Sequence, residues 1–308
     1  MEKRRLRVFL VFLLVLCAAF HAPLADLVRH CLKYDLYSHI LLIPFVSLYL
    51  VYLRGRSLPR VSKPSVCSGL LLFVIAAVAV VMQRLAAARG VTPGEDDYLC
   101  LAMFSFVTFL LGAVFLTLGG TWFRAAAFPV LFLYFMMPMS VPIRDGFDFV
   151  LQRASAFTLS GLYGLTGTPY FRDGMTFCLP GLTIEVAKEC SGIRSSLVLL
   201  ITALIAGDMF LRSGWRRTLL ALSFFPIAAL RNAARILAVS LLTIHVDRSI
   251  IEGPLHRRGG PPFFVLSLIP LFVILLLLRR SERASKEKPK PVAAGVESGA
   301  DNIREISS

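Results

Sequence analysis

Apolar residues along this chain come in long blocks, not in strand-like alternation. Eight blocks approach or pass the roughly 20 residues that a helix needs to cross a bilayer. They run from about Val8 to Leu27, Leu36 to Leu53, Val66 to Met82, Tyr98 to Leu118, Ala125 to Ser140, Ser191 to Leu211, Thr218 to Ile244 and Phe263 to Leu278. Lipid offers no water to an unpaired backbone, so each block is expected to be a helix. The fold class that follows is an all-α polytopic membrane protein with about eight transmembrane helices. Pro226 predicts a kink early in the seventh.

The stretch from Val141 to Glu189 breaks the block pattern. Phe147, Val150, Leu151, Ala154 and Phe157 recur at helix spacing, with Asp148, Gln152 and Arg153 between them. That predicts a small amphipathic helix lying on the membrane surface. "MTFCL" and "LTIEV", joined by Pro180-Gly181, then predict a β-hairpin that leads into Cys190.

Composition agrees: 56% of the 308 residues are hydrophobic, and the mean hydropathy is +0.72, too apolar for a soluble chain of this length. The first block resembles a signal peptide. Phe20-His21-Ala22 followed by Pro23 is a poor cleavage site, so it is read as a span that stays. The net charge of +14 sits mainly in segments flanking the blocks. It is read as orienting charge and attraction to membrane lipids, with no nucleic acid as partner. With the N-terminus in the cytoplasm, 19 Lys and Arg fall inside and 11 outside, while Arg194, Arg231 and Arg235 fall within apolar runs. This places a multi-pass chain in the cytoplasmic (inner) membrane, with Val141–Glu189 on the outer face. The Lys-, Glu- and Ser-rich segment 281–308 is expected to be a disordered cytoplasmic tail.

Three clusters carry candidate chemistry. Cys190 falls at the predicted start of the sixth span, where free backbone N–H groups and the helix dipole favour a thiolate. Arg194 follows four residues on. A disulfide to Cys178 or an inert thiol is the alternative. Arg231, Asn232 and Arg235 interrupt the seventh span, and intramembrane arginines mark either function or a structural counter-ion. His256, in the loop before the eighth span, can move a proton near neutral pH. His245 competes for that part, and an ordinary solvated loop is the plain alternative. A thiolate, a guanidinium and an imidazole together suffice for acyl transfer, with no metal and no cofactor.

"ECSGIRS", then "NAARI", then "HRRGG" resemble the motifs of the exosortase/archaeosortase family of membrane transpeptidases. The resemblance is most specific from about Ala125 to Leu278. It implies Cys190, Arg235 and His256 as catalytic residues, with Arg194, Asn232 and Arg231 in support. It also implies a division into N-terminal spans at 1–124, a catalytic membrane core at 125–280 and the tail at 281–308. The implied activity is cleavage of a C-terminal sorting signal of the Pro-Glu-Pro type on exported proteins at the outer face. The acyl group then passes to an acceptor in the envelope or matrix. The partner is the sorting-signal helix of the substrate. The competing reading is a transporter or lipid-linked carrier protein that binds an anionic substrate through its intramembrane arginines. A non-catalytic membrane scaffold, with Cys190 tied to Cys178, is the third.

Overall fold

The computed structural model describes residues 2–55, 57–59, 63–90, 93–186, 192–246 and 260–287. Cys190 and His256 lie outside the described residues, as does the segment 288–308.

Twelve α-helices are present among the described residues. The first block is broken: α1 (Glu2–Ala19) and α2 (His21–Lys33) meet at 69°. A 3-10 segment (Asp35–Leu42) leads into α3 (Ile43–Arg54). Next come α4 (Val66–Ala88) and α5 (Glu95–Thr117), then the short α6 (Gly120–Ala125) and α7 (Ala127–Phe132). The chain bends by 97° before α8 (Val141–Leu165). Then follow α9 (Ile193–Phe210), α10 (Gly214–Leu222), α11 (Phe224–His245) and α12 (Gly260–Glu287). Six helices are long and apolar enough to cross a membrane, or up to eight if each bent pair counts as one span. The kink expected at Pro226 is a break at Ser223. Proline has no N–H to donate to the carbonyl four residues back, and its ring crowds that carbonyl. Helix α12 continues to Glu287, seven residues into the expected tail.

The expected hairpin gains a third strand. Strands β1 (Phe171–Asp173), β2 (Thr176–Leu179) and β3 (Leu182–Glu185) form an antiparallel sheet in chain order, with Cys178 opposite Phe171 and Thr183. Gly181 turns the β2–β3 corner at φ +76° after Pro180, the residue pair that a type II turn favours. Alternation buries Phe177 and Leu179 and leaves Cys178 exposed as a free thiol.

Helix α8 matches the predicted amphipathic helix, but its polar stripe turns inward. Asp148, Gln152 and Ser155 are buried, while Phe149, Val150 and Phe157 are exposed; Phe157 is 78% exposed. Arg153 stays outside, its guanidinium 4.5 Å from the Phe149 ring centroid. The buried stripe lies against α11, where Asn232 Nδ2 donates to Ser155 Oγ at 3.1 Å and Tyr163 donates to Ser240 at 2.8 Å. Below these bonds Ala156, Leu159 and Tyr163 pack with Phe177, Val186, Ala233 and Ile236, clamping the sheet to both helices.

Ion pairs gather at two rims. At one, Arg54, at the end of α3, pairs with Asp208 near the end of α9, and Glu282 of α12 accepts from the backbone N–H groups of Arg212 and Ser213. At the other, Asp96 of α5 lies 2.8 Å from His30 of α2 and 2.6 Å from Arg144 of α8, and Arg194 of α9 reaches Asp35 at 3.3 Å. The ends that charge counting assigns to one side are the ends that touch.

Candidate active site

The segment that carries Cys190 is held at both flanks. Upstream, Val186 donates its N–H to Met175 O at 3.0 Å and accepts from Gln152 Nε2 of α8 at 3.1 Å. Downstream, Gly192 caps α9 in the left-handed region, at φ +69° and ψ +24°. The helix therefore starts at Ile193, and Cys190 stands two residues before the cap, not at the cap itself. Carbonyl Gly192 O accepts from Ser196 N at 3.0 Å, Ser196 Oγ at 2.9 Å, Ser195 Oγ at 3.0 Å and Arg231 Nη2 at 3.2 Å.

Arg231 is 8% exposed, and its Nη2 also donates to Ser196 Oγ at 3.1 Å. Its other terminal nitrogen, Nη1, is buried with no hydrogen-bond partner among the described residues. A buried guanidinium of this kind is a strong donor that lacks part of its acceptor set. Glycine is favoured at 192 on two counts. The backbone is left-handed, and a Cβ there would stand 2.9 Å from Arg231 Nη2.

The structure brings some of the sequence-predicted residues together and separates others. Arg231 and Asn232 meet the start of α9 directly, and an ideal Cβ on Gly192 would lie 3.6 Å from Asn232 Oδ1. Arg235 is half-buried one turn further along α11. Arg194 turns away towards Asp35 and Ser38 at the far side of α9, so it ties two helix starts together and does not join the Arg231 cluster. His245 is exposed at the end of α11, ten residues beyond Arg235 and about 15 Å along the helix. Helices α9 and α12 converge at the Glu282 contact at their C-terminal ends, so both begin on the Gly192 side; His256 precedes α12 by four residues.

Gln152, Ser155 and Asp148 are the polar neighbours that the motifs do not point to. They are buried at spacings of three and four on one face of α8. Their one sequence signal is the polar stripe itself, which periodicity detects without saying what it faces.

Compared with known proteins, no curated relative and no solved structure matches the chain. The family model described as transmembrane exosortase matches residues 32–273, which takes in α3 to α11, the first half of α12, the sheet and both flanks of the Cys190 segment. The chain belongs to the transmembrane exosortase family.

Proposed function

We propose that the chain is a membrane-embedded cysteine transpeptidase. It cleaves C-terminal sorting signals of exported proteins, of the Pro-Glu-Pro type, at the outer face of the cytoplasmic membrane and passes the acyl group to an acceptor. The observation that carries this reading, beside the family match, is the double anchoring of the Cys190 segment. Gln152 holds the carbonyl before it and Arg231 the carbonyl after it. Buried polar bonds of this kind cost stability unless fully made, and they suit a segment whose position matters to chemistry.

In the reaction, the Cys190 thiolate attacks the scissile carbonyl and a C–S bond forms. Arg235 steadies the oxyanion. The C–N bond then breaks, and His256 gives a proton to the leaving amine. An acceptor nucleophile attacks the thioester, gives its proton back to His256, takes the acyl group and releases the thiolate. The substrate's own transmembrane helix lies beside the enzyme in the bilayer, so local concentration replaces contacts that a soluble protease would need.

A second reading, an anion-binding carrier, draws on the buried Arg231 Nη1 without a partner among the described residues. One experiment separates the two. A tagged substrate with a sorting signal is co-expressed with wild type or with Cys190→Ala, and its mass is read by gel and mass spectrometry. The transpeptidase reading expects full-length substrate to accumulate with Cys190→Ala; normal processing in that variant sinks it.

A further inference from the structure

A cavity of about 410 Å³ opens at the rim opposite Gly192, between the C-terminal ends of α9 and α12. The 18 residues of α9 put it about 27 Å from Gly192, close to the thickness of a hydrocarbon core. Arg212, Arg217, Arg279 and Arg283 line it, together with Asp208 and Glu282. The two carboxylates are spoken for. Asp208 is held by Arg54 and by Arg217 at 3.2 Å, and Glu282 by the Arg212 and Ser213 N–H groups and by Arg216 at 3.7 Å. Arg212, Arg279 and Arg283 make no ion pair among the described residues, so the lining carries a surplus of positive charge that calls for an anion.

The surroundings say which kind. Arg279 and Arg283 continue up α12 through Leu276, Phe272, Ile269 and Val265, all exposed and spaced by three or four. With Leu266, Val273 and Leu277, also exposed, they form a broad apolar face whose end meets the basic cavity. Exposed Trp215, beside the cavity at the start of α10, is a residue type that settles at headgroup level. Phosphate below and acyl chains above is the shape of a phospholipid. We propose that this cavity binds the phosphate of an anionic phospholipid, with its acyl chains lying along the exposed apolar face of α12. The site is separate from the Cys190 region and does not depend on the reaction assigned there.

The test uses the full chain, purified in detergent and placed in nanodiscs of phosphatidylcholine with or without phosphatidylglycerol. Native mass spectrometry counts retained lipid, and thermal unfolding reads stabilisation. Wild type is expected to retain phosphatidylglycerol over phosphatidylcholine and to melt higher with it. Arg279→Gln with Arg283→Gln is expected to lose roughly 30-fold in that selectivity, while the two Lys replacements keep most of it. Removing Arg4 and Arg7 instead, as a matched loss of charge, is expected to leave it in place. Equal retention of both lipids by wild type overturns the proposal. So does an equal loss from the Arg4/Arg7 variant, or the same stabilisation from millimolar inorganic phosphate in phosphatidylcholine alone.

Discussion

Replacing Gly192 by Ala tests how the start of α9 is built. A non-glycine residue in the left-handed region costs about 1–2 kcal/mol. The new Cβ also stands 2.9 Å from Arg231 Nη2, the free end of a flexible side chain, which shifts slightly and lengthens its bonds to Gly192 O and Ser196 Oγ. Full loss of a buried hydrogen bond to a charged group costs about 1.5–3 kcal/mol, and the strain on these bonds adds part of that. The total is about 2–4 kcal/mol, which lowers Tm by very roughly 4–8 °C in a chain of this size. Intrinsic fluorescence of the purified protein in detergent reads that midpoint, with Trp122 and Trp215 as reporters. The double variant Gly192→Ala, Arg231→Ala separates the two terms. Once the guanidinium is gone the clash is gone too, so the pair is expected to lose clearly less than the sum of the single losses. A Gly192→Ala protein that melts within a degree of wild type, or strict additivity in the double variant, would refute the geometry described for Arg231.

Gln152→Leu leaves the buried Val186 carbonyl without its side-chain donor; a stability loss of about 1–3 kcal/mol is expected by thermal unfolding, and substrate processing at matched expression is expected to fall as the segment before Cys190 loses its anchor. Tyr163→Phe removes one buried hydroxyl pair with Ser240; a loss of about 1 kcal/mol is expected, and adding Ser240→Ala should cost little more, as thermal unfolding of the single and double variants will report. Arg54→Ala leaves Asp208, whose side chain is 3% exposed, with Arg217 alone. A loss of about 1.5–3 kcal/mol is expected, since one charged partner remains, and Asp208→Asn in the same chain should recover part of it, again by thermal unfolding.

Helices were legible because a run of about 20 apolar residues has one stable conformation in lipid. The break near Pro226 was legible for an equally local reason, a missing N–H. The break between α1 and α2 has the same local cause, because Pro23 in the first turn of α2 cannot donate to the Ala19 carbonyl four residues back. The 69° angle was not legible, since it belongs to a junction where Phe20 packs against Phe106 and Phe109 of α5. The third strand of the sheet escaped notice because "FRD" is too short to alternate.

Around the site the division is sharper. The candidates Cys190, Arg231, Asn232, Arg235 and His256 could be named from the sequence, because arginines inside apolar runs are costly and therefore conspicuous, and because the motifs around Cys190, Arg235 and His256 resemble those of the family. Gln152 and Ser155 could not, because the amphipathic pattern of α8 has a direction but no sign. The same spacing suits a helix with its polar face in water or one with that face buried. Only the packing of α8 on α11 decided between them: Ser155 met Asn232, and Gln152 met the Val186 carbonyl. The same holds for Arg194 and Arg231, which read alike in the sequence. One reaches an exposed aspartate, and the other is shut against Gly192. Composition and spacing, then, determined that this chain is a helical membrane protein with arginines in its spans. Tertiary contact alone determined which polar groups those spans turn towards one another, since a hydrogen bond across helices depends on positions far apart in the chain.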